Sequence, residues 1–287
     1  MEGVLIWSGG CFSGLLFAVL LRLLLRLRRF RLEQPSNERN WVNDNARTPR
    51  ASIEGDHVTL HDVRDFHWRS TREYDERWTD VSFNLNDVKR IWLVLEAFEP
   101  KHPQMAHTLL SFELSDGRRL ACSIEVRREQ GERFHPIAGL GRTFELIYVW
   151  GTEADLIGVR TRCRPRSVTR LFESVVLVEG NERRMMESYL RRTNQLAIKP
   201  EWYNTIWNTC TTNLVDHVNE VYPGRVPMGL SVLLPGLSPK MLAEENLIVL
   251  NGDLAATMES SIIDERGMAW DGTGDFGDWI RGINDDE

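Results

Sequence analysis

Cys210 lies in the run WYNTIWNTCTTNLVDHVN (202–219), where a polar, aromatic loop passes into a segment of helical periodicity. The spacing predicts a helix that starts near Thr209 or Cys210 and continues from Thr211 to Glu220. A thiol at a helix N-terminus meets the positive end of the macrodipole and several free N–H groups, which favour thiolate over thiol. The same N–H groups can receive the oxyanion of a tetrahedral intermediate. That chemistry also needs a base or counter-cation, usually a histidine from elsewhere in the chain.

Seven histidines compete: 57, 61, 67, 102, 107, 135 and 217. His107 is favoured because it opens a strand of the clearest hairpin. That hairpin is HTLLSFEL (107–114), Ser115-Asp116-Gly117, then RRLACSIEV (118–126). Matching the apolar faces Leu110, Phe112, Leu114 and Leu120, Cys122, Ile124, Val126 pairs Leu114 with Arg118 across a three-residue loop. Counting back sets His107 opposite Glu125, on a polar face shared with Ser111 and Ser123. Cys210, His107 and Glu125 are therefore the candidate nucleophile, base and orienting carboxylate. Asn208, Thr209, Thr211, Asn213 and Tyr203 are the candidate substrate-binding or oxyanion residues.

Blander readings compete. A histidine at a strand start is ordinarily a solvated surface group, and the Glu125-to-Glu129 stretch also reads as a charged strand end. Asn208 and Asn213 also read as helix caps. His217 lies nearly two helical turns beyond Cys210, too far to touch it. Cys11, Cys122 and Cys163 read as compact apolar residues, and a Cys122–Cys163 disulfide cannot be argued from the spacing. None of the four cysteines shows the short paired spacing of a thiolate metal site, so no metal is expected.

The elements that must position these groups can also be read. Val4 to Leu25 is a 22-residue stretch with Arg22 as its sole charge, long enough for a hydrocarbon core of about 30 Å. Residues 1–32 are expected to form one transmembrane helix with a basic flank, 33–50 a polar linker that docks through Trp41, and 51–287 the globular part. Within that part, a core is expected over about 51–235, with an acidic extension over 236–287. Residues 51–100 alternate as strands, as do 141–151 and 167–180. The stretch 182–197 carries Met185, Met186, Tyr189, Leu190 and Leu196 at helical spacing, so its methionines are core. The result is an α+β domain, an antiparallel sheet packed on helices. A net charge of −7 with no lysine-rich stripe argues against a nucleic-acid partner.

The runs QPSNERNW (34–41), HDVRDF (61–66), 106–132, 144–161 and PEWYNTIWNTCTTN (200–213), in this order, resemble the Lnb N-terminal periplasmic domain family over roughly residues 34–260. The family is similar to permuted, papain-like thiol enzymes of the NlpC group, in which histidine precedes cysteine as His107 precedes Cys210. The resemblance implies acyl transfer without a cofactor. Cys210 would take an acyl chain from a membrane lipid as a thioester, and a lipoprotein N-terminal amine would accept it. A cysteine amidase or peptidase and a non-catalytic envelope protein are the alternatives. Relatives carry Asn-Asn-Cys where this chain has Asn208-Thr209-Cys210. The family also implies a bacterial inner-membrane protein, single-pass, with its domain in the periplasm. The positive-inside rule, applied to Arg22, Arg26, Arg28, Arg29 and Arg31, places that domain in the cytoplasm instead. A span upstream of residue 1 would reconcile the two.

Overall fold

The computed structural model describes residues 33–283, with Gly14, Phe17 and residues 20–22. The expected transmembrane span therefore lies outside the described residues except at those isolated positions. Among the described residues no helix is long and apolar enough to cross a membrane.

Short alternating runs become strands β1 (Arg50–Glu54), β2 (His57–Arg64), β3 (His67–Trp68), β4 (Tyr74–Asp75) and β5 (Trp78–Asn84), followed by the longer β6 (Val88–Ala97). The hairpin is β7 (Ala106–Leu114) and β8 (Arg119–Arg127), and β9 (Glu145–Thr152) and β10 (Val168–Glu173) complete the set. The main sheet runs β1-β2-β9-β8-β7-β6-β10, with β5 also pairing with β2. The fold is α+β, but the sheet is mixed rather than purely antiparallel: β2 and β9 meet in parallel where Arg64 pairs with Gly151.

The hairpin register follows the apolar pattern. Leu109 faces Ser123 and Glu113 faces Arg119, and Leu114 N–H donates to the Arg118 carbonyl at 2.9 Å. Gly117 closes the loop with φ +85°, a conformation that costs glycine little because it has no Cβ. Its N–H donates to the Leu114 carbonyl at 3.0 Å.

Helices cover both faces of the sheet. On one face α3 (Asn181–Ile198) lays Met185, Met186, Tyr189 and Leu190 against Phe112, Cys122, Tyr148 and Trp150. The face expected to be polar is instead a second core layer. There Leu109, Ala121, Ile147 and Val149 pack under Leu156, Ile157, Phe276 and Ile280. The short helices α1 (Glu153–Leu156) and α2 (Gly158–Cys163) supply part of that cover. Ser111 and Ser123 on this face are wholly buried. Burial on both sides explains the nearly continuous apolar reading of β7 and β9.

α4 (Cys210–Val221) follows α3, and among the described residues five short helices come after it: α5 (Leu230–Leu233), α6 (Ser238–Glu244), α7 (Leu254–Ser260), α8 (Asp264–Ala269) and α9 (Phe276–Arg281). The segments expected as strands at 141–151 and 167–180 shorten to β9 and β10. Trp41 is buried under the Arg127 guanidinium, 4.4 Å from its ring centroid, and Asn37 Nδ2 donates to the Leu196 and Ala197 carbonyls at the end of α3.

Candidate active site

The N-terminus of α4 is built by its own sequence. Thr209 is the N-cap, its hydroxyl accepting from Thr212 N–H, while the Thr212 hydroxyl accepts from Thr209 N–H at 2.8 Å. Such a reciprocal box fixes the first turn. It also accounts for threonine before the cysteine, since asparagine and threonine serve the same purpose at an N-cap. Cys210 is the first helical residue, so its N–H has no partner within the helix.

β7 brings His107 to this helix end, and β8 brings its partners. His107 Nε2 lies 2.8 Å from Ser123 Oγ and 3.4 Å from Glu125 Oε1. Ser123 Oγ donates to Glu125 Oε1 at 2.6 Å, so it can accept from the imidazole and bridge the two. With Nε2 so engaged, Nδ1 is the ring nitrogen left to face the cleft shared with Cys210, whose thiol the imidazolium charge lowers. Thr211 Oγ1 lies 3.6 Å from that sulfur.

Arg160 on α2 holds the carboxylate end. Its Nη2 donates to Glu125 Oε1 at 2.8 Å and to Ser123 Oγ at 3.2 Å, and its Nε lies 3.1 Å from Glu96 Oε2. Arg164 Nη1 donates to both Glu96 oxygens, at 2.9 and 2.7 Å. Below them Asp155 accepts from Arg64 Nε and Nη2, Phe66 N–H and Trp68 Nε1. Every lone-pair direction of this fully buried carboxylate is thus engaged.

The electrostatics follow from these contacts. Burial pushes the Cys210 thiol up, but the His107 imidazolium, the Thr108 backbone N–H and the Thr211 hydroxyl together bring it down to about 7. Burial pushes His107 down, but Glu125 and the Cys210 thiolate outweigh it and raise the imidazole to about 10. Burial would raise Glu125, yet His107, Arg160 and Ser123 hold it well below the usual carboxylate range. Between those two apparent values the pair rests as thiolate and imidazolium, and the protons belong to the pair rather than to either residue.

Glu125→Gln removes the charge that sustains the imidazolium. The acid inflection of Cys210 alkylation should rise from near 7, and the rate at pH 7 should fall several-fold. An unchanged pH profile would mean that Glu125 only packs against the histidine.

The remaining candidates divide. Tyr203 is buried and shares a cleft with Cys210, His107 and Glu125; burial pushes its phenol up, so it stays a donor. Asn208 and Asn213 are engaged internally. Asn208 Nδ2 donates to the Trp202 carbonyl, and Asn213 Nδ2 donates to Asn208 Oδ1 and the Thr209 carbonyl. Thr209 is committed to its cap. His217 lies between Ser188 Oγ, 2.7 Å away, and Tyr148 Oη, 2.8 Å away. Its burial depresses the imidazole to about 3, so it is a neutral strut between α3, α4 and β9. Cys122 and Cys163 are free thiols in separate clusters, and no disulfide joins them.

Arg160, Glu96 and Asp155 escaped the sequence reading. A signal was present: Glu96 ends the apolar run IWLVLEA, and Arg160 follows Leu156, Ile157 and Val159. A charge set among apolar residues needs a buried partner.

The cleft holds about 430 Å³. Ile124, Val149, Leu156, Val159, Phe98 and Phe134 form apolar wall, and Arg64, Arg128, Arg160 and Arg164 line it as well. Among the described residues no cluster of histidines, cysteines and carboxylates is arranged to hold a metal ion.

The family model described as the Lnb N-terminal periplasmic domain matches residues 74–236, a span that contains His107, Glu125, Arg160 and Cys210. No curated protein and no solved structure matches the chain.

Proposed function

The chain belongs to the Lnb N-terminal periplasmic domain family, and from that premise we propose that it is a membrane-anchored thiol acyltransferase. In this reading the apolar segment before residue 33 is the anchor, and the domain works on the periplasmic side. The order of parts, a base-bearing strand preceding a thiol-bearing helix, supports a permuted, NlpC-like relative of papain.

The observation that carries the reading is the character of the cleft around an activated thiol. Phe98 and Phe134 line it and remain 49% and 44% exposed. Their loops continue with Met105 at 49% and Ile137 at 72%. A site acting on a soluble peptide would ordinarily bury or replace such side chains, whereas a mouth facing a bilayer gains by presenting them. A half-buried thiol that shares its cleft with a histidine also weighs against a purely structural cysteine.

The chemistry balances on the residues present. The Cys210 thiolate attacks the ester carbonyl of a membrane lipid, forming the C–S bond and a tetrahedral oxyanion that the Cys210 N–H and the Tyr203 hydroxyl can receive. Collapse breaks the ester C–O bond, and the leaving alkoxide takes the imidazolium proton from His107. An amine, such as a lipoprotein N-terminus, then attacks the thioester and gives its proton to the neutral imidazole. The C–S bond breaks, an amide leaves, and thiolate and imidazolium are restored.

Intact-protein mass spectrometry of the detergent-purified full chain, incubated with phospholipid, tests this. Wild type should gain an acyl mass labile to hydroxylamine, and Cys210→Ala should gain none. A Cys210 that alkylates readily at neutral pH but never acquires the adduct would replace the acyltransferase by a cell-envelope amidase or peptidase using water. Failure of both reactions would make the protein non-catalytic.

A further inference from the structure

We propose that Arg128 and Arg164 form an anion subsite in the Cys210 cleft, which takes the phosphodiester of the acyl donor. The inference rests on the acyl-transfer reading and adds which part of the lipid the cleft recognises.

The arginines lining the cleft are not equivalent. Arg64 gives Nε and Nη2 to Asp155 and Nη1 to the Asp44 carbonyl. Arg160 is spent on Glu125, Ser123, Glu96 and the Leu156 carbonyl. Both are structural. Arg164 uses Nη1 alone on Glu96, so among the described residues Nε and Nη2 have no acceptor, and its side chain is 39% exposed. Arg128 lines the same cleft and is half-buried. Among the described residues its side chain has no hydrogen-bond or ion-pair partner. A guanidinium left without an acceptor in a recess is under-used, because its fork of N–H groups matches two phosphate oxygens.

Asp44 is the carboxylate facing Arg128. The two interact through space without forming an ion pair, and burial pushes the Asp44 carboxyl up from its ordinary value despite Arg64 and Arg128. Of the remaining carboxylates at this end, Glu125 is bound by Arg160, Asp155 by Arg64, and Glu96 by Arg160 and by Nη1 of Arg164. The free hydrogen-bonding capacity of the cleft is therefore mainly donor capacity, beside apolar wall and the thiol. A diacylated phosphodiester has the complementary layout: an anionic group a few bonds from an ester carbonyl, with an apolar chain beyond it. A neutral diacylglycerol would leave both guanidiniums unanswered, and a free anion would leave the apolar wall so.

The test uses ether lipids that can bind but cannot acylate, so it is separate from the thioester experiment. Cys210 alkylation is followed in the full chain against increasing 1,2-di-O-hexyl-glycerophosphoglycerol, its neutral counterpart 1,2-di-O-hexylglycerol, or inorganic phosphate. The phosphate-bearing diether should protect the thiol at concentrations at least about 10-fold lower than the neutral diether or phosphate alone. The preference should shrink with added salt and collapse in Arg128→Gln, a variant that breaks no internal hydrogen bond. Equal protection by the neutral diether, or an unchanged preference in Arg128→Gln, overturns the subsite. Protection by inorganic phosphate as good as by the diether would overturn its assignment to a lipid. If the diether behaves as expected while the diester lipid leaves no thioester, the acyl-transfer reading fails and the anion subsite stands.

Discussion

His107→Ala is expected to slow Cys210 alkylation at pH 7 by at least about 15-fold, and to cut acyl transfer by about 10³-fold or more. The first figure follows from proton occupancy. With its apparent pKa near 7, about half of Cys210 is thiolate at neutral pH. Remove the imidazolium and the thiol returns to at least its free value near 8.5, where roughly 3% is thiolate at pH 7. Burial pushes in the same direction, so 15-fold is a floor. The larger figure adds loss of the group that protonates the leaving alkoxide and deprotonates the amine. A Cys11→Ser, Cys163→Ser background isolates the signal, since Cys122 is buried in the core. The wild-type rate should rise through pH 7 and the variant's inflection should move up, with the thermal transition little changed. Coincident profiles would remove His107 from the site and leave the helix terminus as the main activator of the thiol.

What the sequence disclosed about this arrangement depended on how locally each part is specified. The His107–Glu125 juxtaposition was legible because two apolar faces and one Asp-Gly loop fix a hairpin register with no help from the rest of the chain. The placement of Cys210 was legible for the same reason: a polar loop passing into helical periodicity announces a helix start, although its cap is Thr209 rather than the asparagines that read as caps. The cover of the second face was not legible. α1 and α2 are four and six residues long, too short for a periodic pattern, and Phe276 and Ile280 reach that face from the far end of the chain. Without that cover, Ser111 and Ser123 read as a polar face when they are polar groups inside a core. Asn208 and Asn213 illustrate the reverse case. An amide beside a nucleophile suggests substrate contact, but both side chains are engaged in holding the loop to the helix. The pairing of Glu96 with Arg160 and Arg164 is invisible locally because it joins positions more than sixty residues apart.

That non-local pairing makes Arg160 the position where substitution should cost the fold most. Arg160→Met keeps an unbranched stem of similar length but removes the cation shared by Glu96, 1% exposed, and Glu125. Breaking a buried pair by deleting one partner typically costs 3–5 kcal/mol. Arg164 still holds Glu96 and His107 still faces Glu125, so the expected loss is about 3 kcal/mol. For a chain of this size that lowers the melting temperature by roughly 6–12 °C. Its pH dependence identifies the cause. Glu96 and Glu125 both have folded pKa values below their unfolded ones. The stability they contribute is present above about pH 4.5 and is lost as pH falls through their folded values. In Arg160→Met those values rise, so the deficit relative to wild type should be largest near pH 7 and should narrow as pH drops below about 4.5. A deficit that does not change with pH would mean that Arg160 acts by filling space. Should the deficit narrow, adding Glu125→Gln to Arg160→Met should recover part of the stability at pH 7, because one of the two carboxylates left without the arginine is then neutral. The same double variant should still alkylate Cys210 slowly: the carboxylate that sustains the imidazolium is gone, so the requirement of the fold and the requirement of the thiol separate at Glu125.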